Sequence, residues 1–129
     1  MVVGVEVHIR LNTLEKLFSR AKNATLGLKN SRIDLYDLGV PGAMPVLNEA
    51  AVVKALQLAR YLGSTVAKSL TFDRKHYRYP DLPLGFQLTQ FKEPLGRGGS
   101  LPSVESARVS LKQLHLEMDA AKTNRVGDS

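Results

Sequence analysis

The chain predicts an α+β fold, mainly antiparallel sheet with flanking helices, and three observations carry that prediction. Segments with strand character outnumber helical ones, strands and helices do not alternate regularly, and the opening residues repeat with period two. At 129 residues the chain is one domain or a piece of a larger one. Its hydrophobic fraction of 43% supports a core rather than disorder.

Residues 3–12 alternate, with Val3, Val5, Val7, Ile9 and Leu11 on one face and Glu6, His8 and Arg10 on the other, which predicts a half-buried strand. Thr13 to Lys22 suits a short helix. Residues 23–42 scatter glycine, asparagine and basic residues, predicting an irregular loop with one strand at Ile33 to Tyr36. The strongest helix runs from Asn48 to Leu62: Asn48 is a natural N-cap, Glu49 suits the first turn, and Gly63 sits where a left-handed cap belongs. Its expected buried stripe is Val52, Leu56, Ala59 and Leu62, with Lys54, Gln57 and Arg60 in water. Val66 to Phe72 reads as a strand. Pro80, Pro83 and Gly85 then force a bend before a second extended run from Phe86 to Phe91. Arg108 to Glu117 reads as a further strand whose alternation slips between Leu111 and Leu114, the mark of a bulge.

A net charge of +6 and a pI near 9.8 favour anionic partners such as nucleic acid or nucleotides. The chain has no cysteine, which excludes disulfides and thiolate-bound metal. No run approaches the ~18 apolar residues of a membrane span. A targeting peptide is not expected, because Val2 and Val3 already belong to the first strand.

Chemistry concentrates in three places. Glu6 and His8 stand two apart on one strand face, about 6.5 to 7 Å along the backbone, and His115, Glu117 and Asp119 share a face near the other end. Each set is either an ordinary polar strand face or half of a divalent-cation site, for which oxygen donors favour magnesium over zinc. From Phe72 to Gln90, Arg74, Lys75 and Arg78 interleave with Tyr77 and Tyr79. That suits a polyanion carrying a planar base, or else a basic strand leading into a turn. Gly96-Arg97-Gly98-Gly99-Ser100 resembles a phosphate cradle in composition. It lacks the lysine and serine or threonine of a P-loop, so a hairpin or loop is expected.

Four blocks, in order, resemble the B subunit of the tRNA-dependent amidotransferases, the GatB/GatE family. Gly4-Val5-Glu6-Val7-His8, with Leu11, Thr13 and Lys16-Leu17-Phe18, is similar to G-L-E-x-H-x-x-L-x-T-x-x-K-L-F. Pro41-Gly42-Ala43-Met44-Pro45-Val46-Leu47-Asn48 is similar to P-G-x-L-P-x-x-N. Residues 72–90 resemble F-D-R-K-x-Y-x-Y-P-D-x-P-x-G-Y-Q-x-x-Q, and His115 to Lys122 resembles H-x-E-E-D-x-G-K. The resemblance implies a fold like the glutamine synthetase and guanido kinase catalytic domains, incomplete here. It implies ATP-dependent amidation of glutamate misacylated on tRNA(Gln), or aspartate on tRNA(Asn), through an acyl phosphate. Ammonia would come from an amidase (A) subunit, with a small C-type subunit completing the assembly.

The implied site has Glu117 and Lys75 as catalytic groups and Arg74, Lys75, Tyr77 and Tyr79 holding ATP. Glu6, His8 and Glu117 would bind Mg2+. Tyr77, Tyr79 and Gln87 would position substrate or line a channel, and Asp73 would orient Arg74 or cap a turn. Met118 stands where the family has a second glutamate, and alternation points it toward the core. Ala121 replaces a glycine, which would be strained at positive φ, and Phe86 replaces a tyrosine. Some family members carry a cysteine-ligated zinc between the first two blocks, which this chain cannot. The match covers residues 1–129 as the N-terminal part of the family's cradle domain, with its C-terminal helical and tRNA-binding tail domains absent. The substitutions suggest a diverged copy, mitochondrial if eukaryotic and otherwise cytoplasmic. The isolated chain is expected to be inactive, and the alternative is a truncated, non-catalytic RNA-binding or assembly fragment.

Overall fold

The computed structural model describes residues 3–24, 26–28, 30–104 and 107–121. Among them lie one helix, α1 (Glu49–Tyr61), and seven short strands: β1 (Thr65–Val66), β2 (Asp73–His76), β3 (Phe86–Thr89), β4 (Gly96–Arg97), β5 (Ser100–Val104), β6 (Ala107–Ser110) and β7 (Gln113–Leu114). All strand pairings are antiparallel: β1-β4-β7 form one sheet, and β2-β3 and β5-β6 form two hairpins. The α+β class is as the sequence predicts.

α1 forms where its signals lie. The Asn48 side chain accepts from the Ala50 N–H at 3.0 Å. Gly63 (φ 70°) closes the far end as the Gly63 and Ser64 N–H groups donate back to the Arg60 and Ala59 carbonyls. Ala59 and Leu62 are buried as expected, while the rest of the stripe is rotated. Ala51, Ala55 and Ala59 face inward, while Val52 and Leu56 flank them half-buried. The inward face is close to its neighbours: Leu95, with no exposed surface, packs with Ala55 and Ala59, and Gly96 lies beside Ala59.

Two cores meet beneath the sheets. Ala55, Ala59, Leu95 and Leu116 make the first; Phe18, Tyr36 and Leu88 make the second. Leu17 and Phe72 belong to both, and Phe18 meets Phe72 edge-on at 5.0 Å.

Several expected elements do not form. Residues 3–10 lie in no strand, and their apolar face is open, with Val5 83% exposed. Only Leu11 reaches the first core. A strand is held by a neighbouring edge, and none of the described strands pairs with this segment. Thr13 to Lys22 is an irregular loop closed by a Glu15–Lys22 bridge rather than a helix. The Leu17 and Phe18 carbonyls accept from the Asn48 and Val46 N–H groups, at 2.9 and 3.0 Å, instead of from the next turn. Ile33 to Tyr36 enters a turn instead of a strand, because Asp34 and Asp37 side chains accept backbone N–H groups across it.

The strand expected at Val66 to Phe72 stops at Val66, and pairing resumes at Asp73 in a different sheet. Arg108 to Glu117 is two elements rather than one. β6 pairs with β5, and after a break at Leu111–Lys112, β7 pairs with β4. The slip in alternation marks that change of partner.

The glycine run at 96–100 is packing, not a cradle. A side chain on Gly99 (φ 108°) would strike the Leu62 carbonyl, and one on Gly96 would crowd Ser64. The Gly98 and Ser100 N–H groups already donate to Lys112 and Leu62 carbonyls.

Candidate functional site

The β2–β3 hairpin organises the candidate site. Its register pairs Asp73 with Thr89, Arg74 with Leu88, Lys75 with Gln87, and His76 with Phe86. Directly opposed residues share a face, so Asp73, Lys75, Gln87 and Thr89 lie on one side and Arg74, His76, Phe86 and Leu88 on the other. Neighbouring Arg74 and Lys75 are therefore separated by the hairpin. Arg74 holds its guanidinium 5.1 Å from the Phe86 ring centroid, and His76 stacks obliquely on the same ring. Lys75 Nζ is 5.9 Å from the centroid of Tyr77, which leans on Tyr79 at 5.6 Å. Asp73 caps the turn after β3, accepting the Lys92 N–H at 2.9 Å.

Residues 115–121 dock along β3 through backbone and side chains together. The Met118 N–H donates to the Leu88 carbonyl at 2.8 Å, and the Leu116 N–H to Gln90 Oε1 at 2.9 Å. Gln87 Nε2 donates to Glu117 Oε1 at 2.6 Å and to the Met118 carbonyl at 2.8 Å. Thr89 Oγ1 donates to Glu117 Oε2 at 3.2 Å. Glu117 thus reaches the Lys75 face through Gln87, the cross-strand partner of Lys75. The Tyr77 hydroxyl is raised above its usual range, first by burial and then by the charges of Asp81 and Glu117.

Met118 turns the other way, into the second core, where the Tyr36 hydroxyl donates to its sulfur. Alternation predicts this orientation. Ala121 carries no strain: among the described residues the only non-glycine at positive φ is Asn30. Lys122 lies outside the described residues.

Glu6 and His8 come together near the start of the chain. His8 Nε2 is 3.6 Å from Glu6 Oε1, on the open segment, with both side chains largely in water. Among the described residues no three histidine or carboxylate groups gather. The Glu6 and Glu117 carboxylates are the right donor type for magnesium and the His8 imidazole is an unusual one; the three do not converge, so they do not fit a complete metal site here.

The GatB/GatE catalytic domain family matches residues 1–129. This chain belongs to that family. It is 41% identical over 124 residues to the B subunit of the aspartyl/glutamyl-tRNA(Asn/Gln) amidotransferase of Mycoplasmopsis agalactiae, covering 94% of this chain and 26% of that protein. It is 42% identical over 127 residues to the protein of that name from Malacoplasma penetrans, covering 98% and 26%. The counterpart from Thermus thermophilus is 48% identical over 123 residues, covering 95% and 26%. The chain therefore spans about a quarter of the length of these relatives.

In this GatB/GatE domain the third and fourth sequence blocks meet in space; the first joins them through Leu11, Leu17 and Phe18, while its Glu6–His8 pair stays apart. Sequence reasoning leaves Thr89 and Gln90 without a role. Gln90 has no exposed surface and ties Leu116 to the Thr71 carbonyl. The available signal is polarity in a strand otherwise built for the core: Gln87, Thr89 and Gln90 flank Leu88, and buried polar groups need partners. Among the described residues no helix is long and apolar enough to cross a membrane.

Proposed function

We propose that this chain supplies part of the carboxyl-activating centre of a tRNA-dependent amidotransferase. The observation that supports it most is the Lys75–Gln87–Glu117 arrangement on one face of the β2–β3 hairpin, in a chain of the GatB/GatE family. The substrate carboxylate, on glutamyl-tRNA(Gln) or aspartyl-tRNA(Asn), attacks the γ-phosphorus of ATP, and ADP leaves. Carboxylate is a poor electrophile, so this phosphate is needed before amidation. Ammonia from the amidase subunit then attacks the acyl carbon, phosphate departs, and the attacking nitrogen loses a proton.

Lys75 neutralises phosphate charge, which is the main work of a phosphoryl-transfer site. Glu117 accepts the proton from the ammonia nitrogen, and Tyr77 and Tyr79 offer ring faces to the nucleotide base. Arg74, which the resemblance implies would hold nucleotide, lies on the opposite face of the hairpin against Phe86 and has no part in this proposal. Glu6 and His8 are the half-site that would bring magnesium, with no complete site among the described residues. The same proposal carries a glutamine synthetase-like and guanido kinase-like fold, residues 1–129 as the N-terminal part of the cradle domain, and partnership with A and C-type subunits. It places the protein in mitochondria if the source is eukaryotic and in the cytoplasm otherwise.

Calorimetric titration of a non-hydrolysable ATP analogue, with and without magnesium, tests it. Magnesium-dependent binding lost in Glu6→Ala supports the catalytic proposal. A second reading, a non-catalytic RNA-binding or assembly fragment, is favoured by the net charge of +6 and the exposed basic strand β2, while the Glu6–His8 pair argues against it. It predicts tRNA binding that weakens with salt and ignores magnesium.

A further inference from the structure

The face of β3 that meets residues 115–121 is unusually polar for its depth. Gln87 and Thr89 are each 6% exposed, and both donate to one carboxylate. Gln87 takes Oε1 and Thr89 takes Oε2, so the two contacts fix the Glu117 carboxylate plane and not merely its location. A carboxylate has about four lone-pair sites, so each oxygen keeps capacity for an incoming proton. The segment has docking bonds besides these. The Met118 N–H to Leu88 carbonyl bond and the Leu116 N–H to Gln90 bond already hold it against β3. Two buried side chains therefore converge on one acid, Gln87 donating to the Met118 carbonyl as well.

We infer that Gln87 and Thr89 are positioning residues for Glu117, setting the carboxylate to receive the proton shed by the ammonia nitrogen. This rests on the proposed role of Glu117. Positioned donors matter because a charged hydrogen bond tightens orientation at low entropic cost, and loosely held acids lose reactive geometry. Thr89→Val keeps the shape of the side chain and deletes only its donor. Gln87→Met keeps length and burial and deletes both donated bonds.

The test is steady-state amidation of glutamyl-tRNA by the assembled amidotransferase containing this chain, with active sites titrated and thermal unfolding followed in parallel. The expected result is a kcat loss of about ten- to a hundredfold in Thr89→Val and in Gln87→Met, taking as guide the loss on removing a hydrogen-bond partner of a metal-ligating residue. KM for ATP and for tRNA stays unchanged, and Thr89→Ser recovers most of the rate. Unchanged kcat in both variants, with Glu117→Gln inactive, overturns the inference while leaving the proposed function standing. A rate loss fully explained by fewer active sites also overturns it, since that is a folding role alone. Turnover surviving in Glu117→Gln removes the proposed role of Glu117 itself, and the positioning role falls with it.

Discussion

The Tyr36 hydroxyl donates to Met118 Sδ at 3.9 Å, joining the turn after residue 33 to the segment that carries Glu117. The thioether stands where the family resemblance has a carboxylate. In this chain it lies against the second core, formed by Phe18, Tyr36 and Leu88, rather than beside Glu117. Met118→Glu should therefore not rebuild a second acid at the site. It should destabilise the fold by about 1–3 kcal/mol at neutral pH, the cost of forcing a charge toward apolar neighbours. Urea unfolding measures this, and an unchanged midpoint would contradict the packing.

Alkaline pH should act on the same contact. Burial raises the Tyr36 pKa above its ordinary value near 10; the charge of Asp37 adds to this, and Arg74 opposes it. A raised folded-state pKa means that stabilisation by the neutral phenol is whole below the unfolded value. It declines as pH climbs through the folded value. Stability should thus fall from about pH 10 upward, and the fall should shrink in Tyr36→Phe. Tyrosinate absorbance against pH, compared with unfolding midpoints, would show it.

Gly99→Ala should cost about 2 kcal/mol or more, because the residue sits at φ 108° and a Cβ there would meet the Leu62 carbonyl. Gly98→Ala has open space around it and only its φ of 68° to overcome, so it should cost about half as much. Equal destabilisation of the two variants in chemical unfolding would show that close packing of this loop on the helix end is unimportant.

Lys75 and Arg74 should separate in experiment. Lys75→Met leaves an exposed site, so stability should move by no more than about 0.5 kcal/mol. Turnover should fall roughly a hundredfold or more if a phosphate-facing charge is lost. Arg74→Met loses the stack on Phe86, worth about 0.5–1 kcal/mol at an exposed position, and should spare nucleotide affinity. Equal loss of analogue binding in both would mean that the hairpin does not divide their roles.

α1 is legible in the sequence because its signals are local: an asparagine cap, an acidic first turn and a closing glycine. The N-terminal strand is not, because alternation states only which residues would share a face, while a strand exists only beside a partner. Thr13 to Lys22 fails as a helix for the same kind of reason, since distant N–H groups from Val46 and Asn48 take its carbonyls. At the candidate site, Lys75, Gln87 and Glu117 are legible through the motifs that contain them. The hairpin register that parts Arg74 from Lys75 and brings Thr89 to Glu117 depends on pairing over more than a dozen residues, which neither motif spells out.

The open run of alternating valines before Leu11 sets how the isolated polypeptide handles in the test tube. An extended strip with one apolar face and no pairing strand among the described residues is a template for others like itself. Solubility and yield of the isolated chain will be governed by those few residues more than by either core. Charged replacements at Val5 and Val7 should raise the concentration at which it stays dispersed without touching the helix or the hairpin.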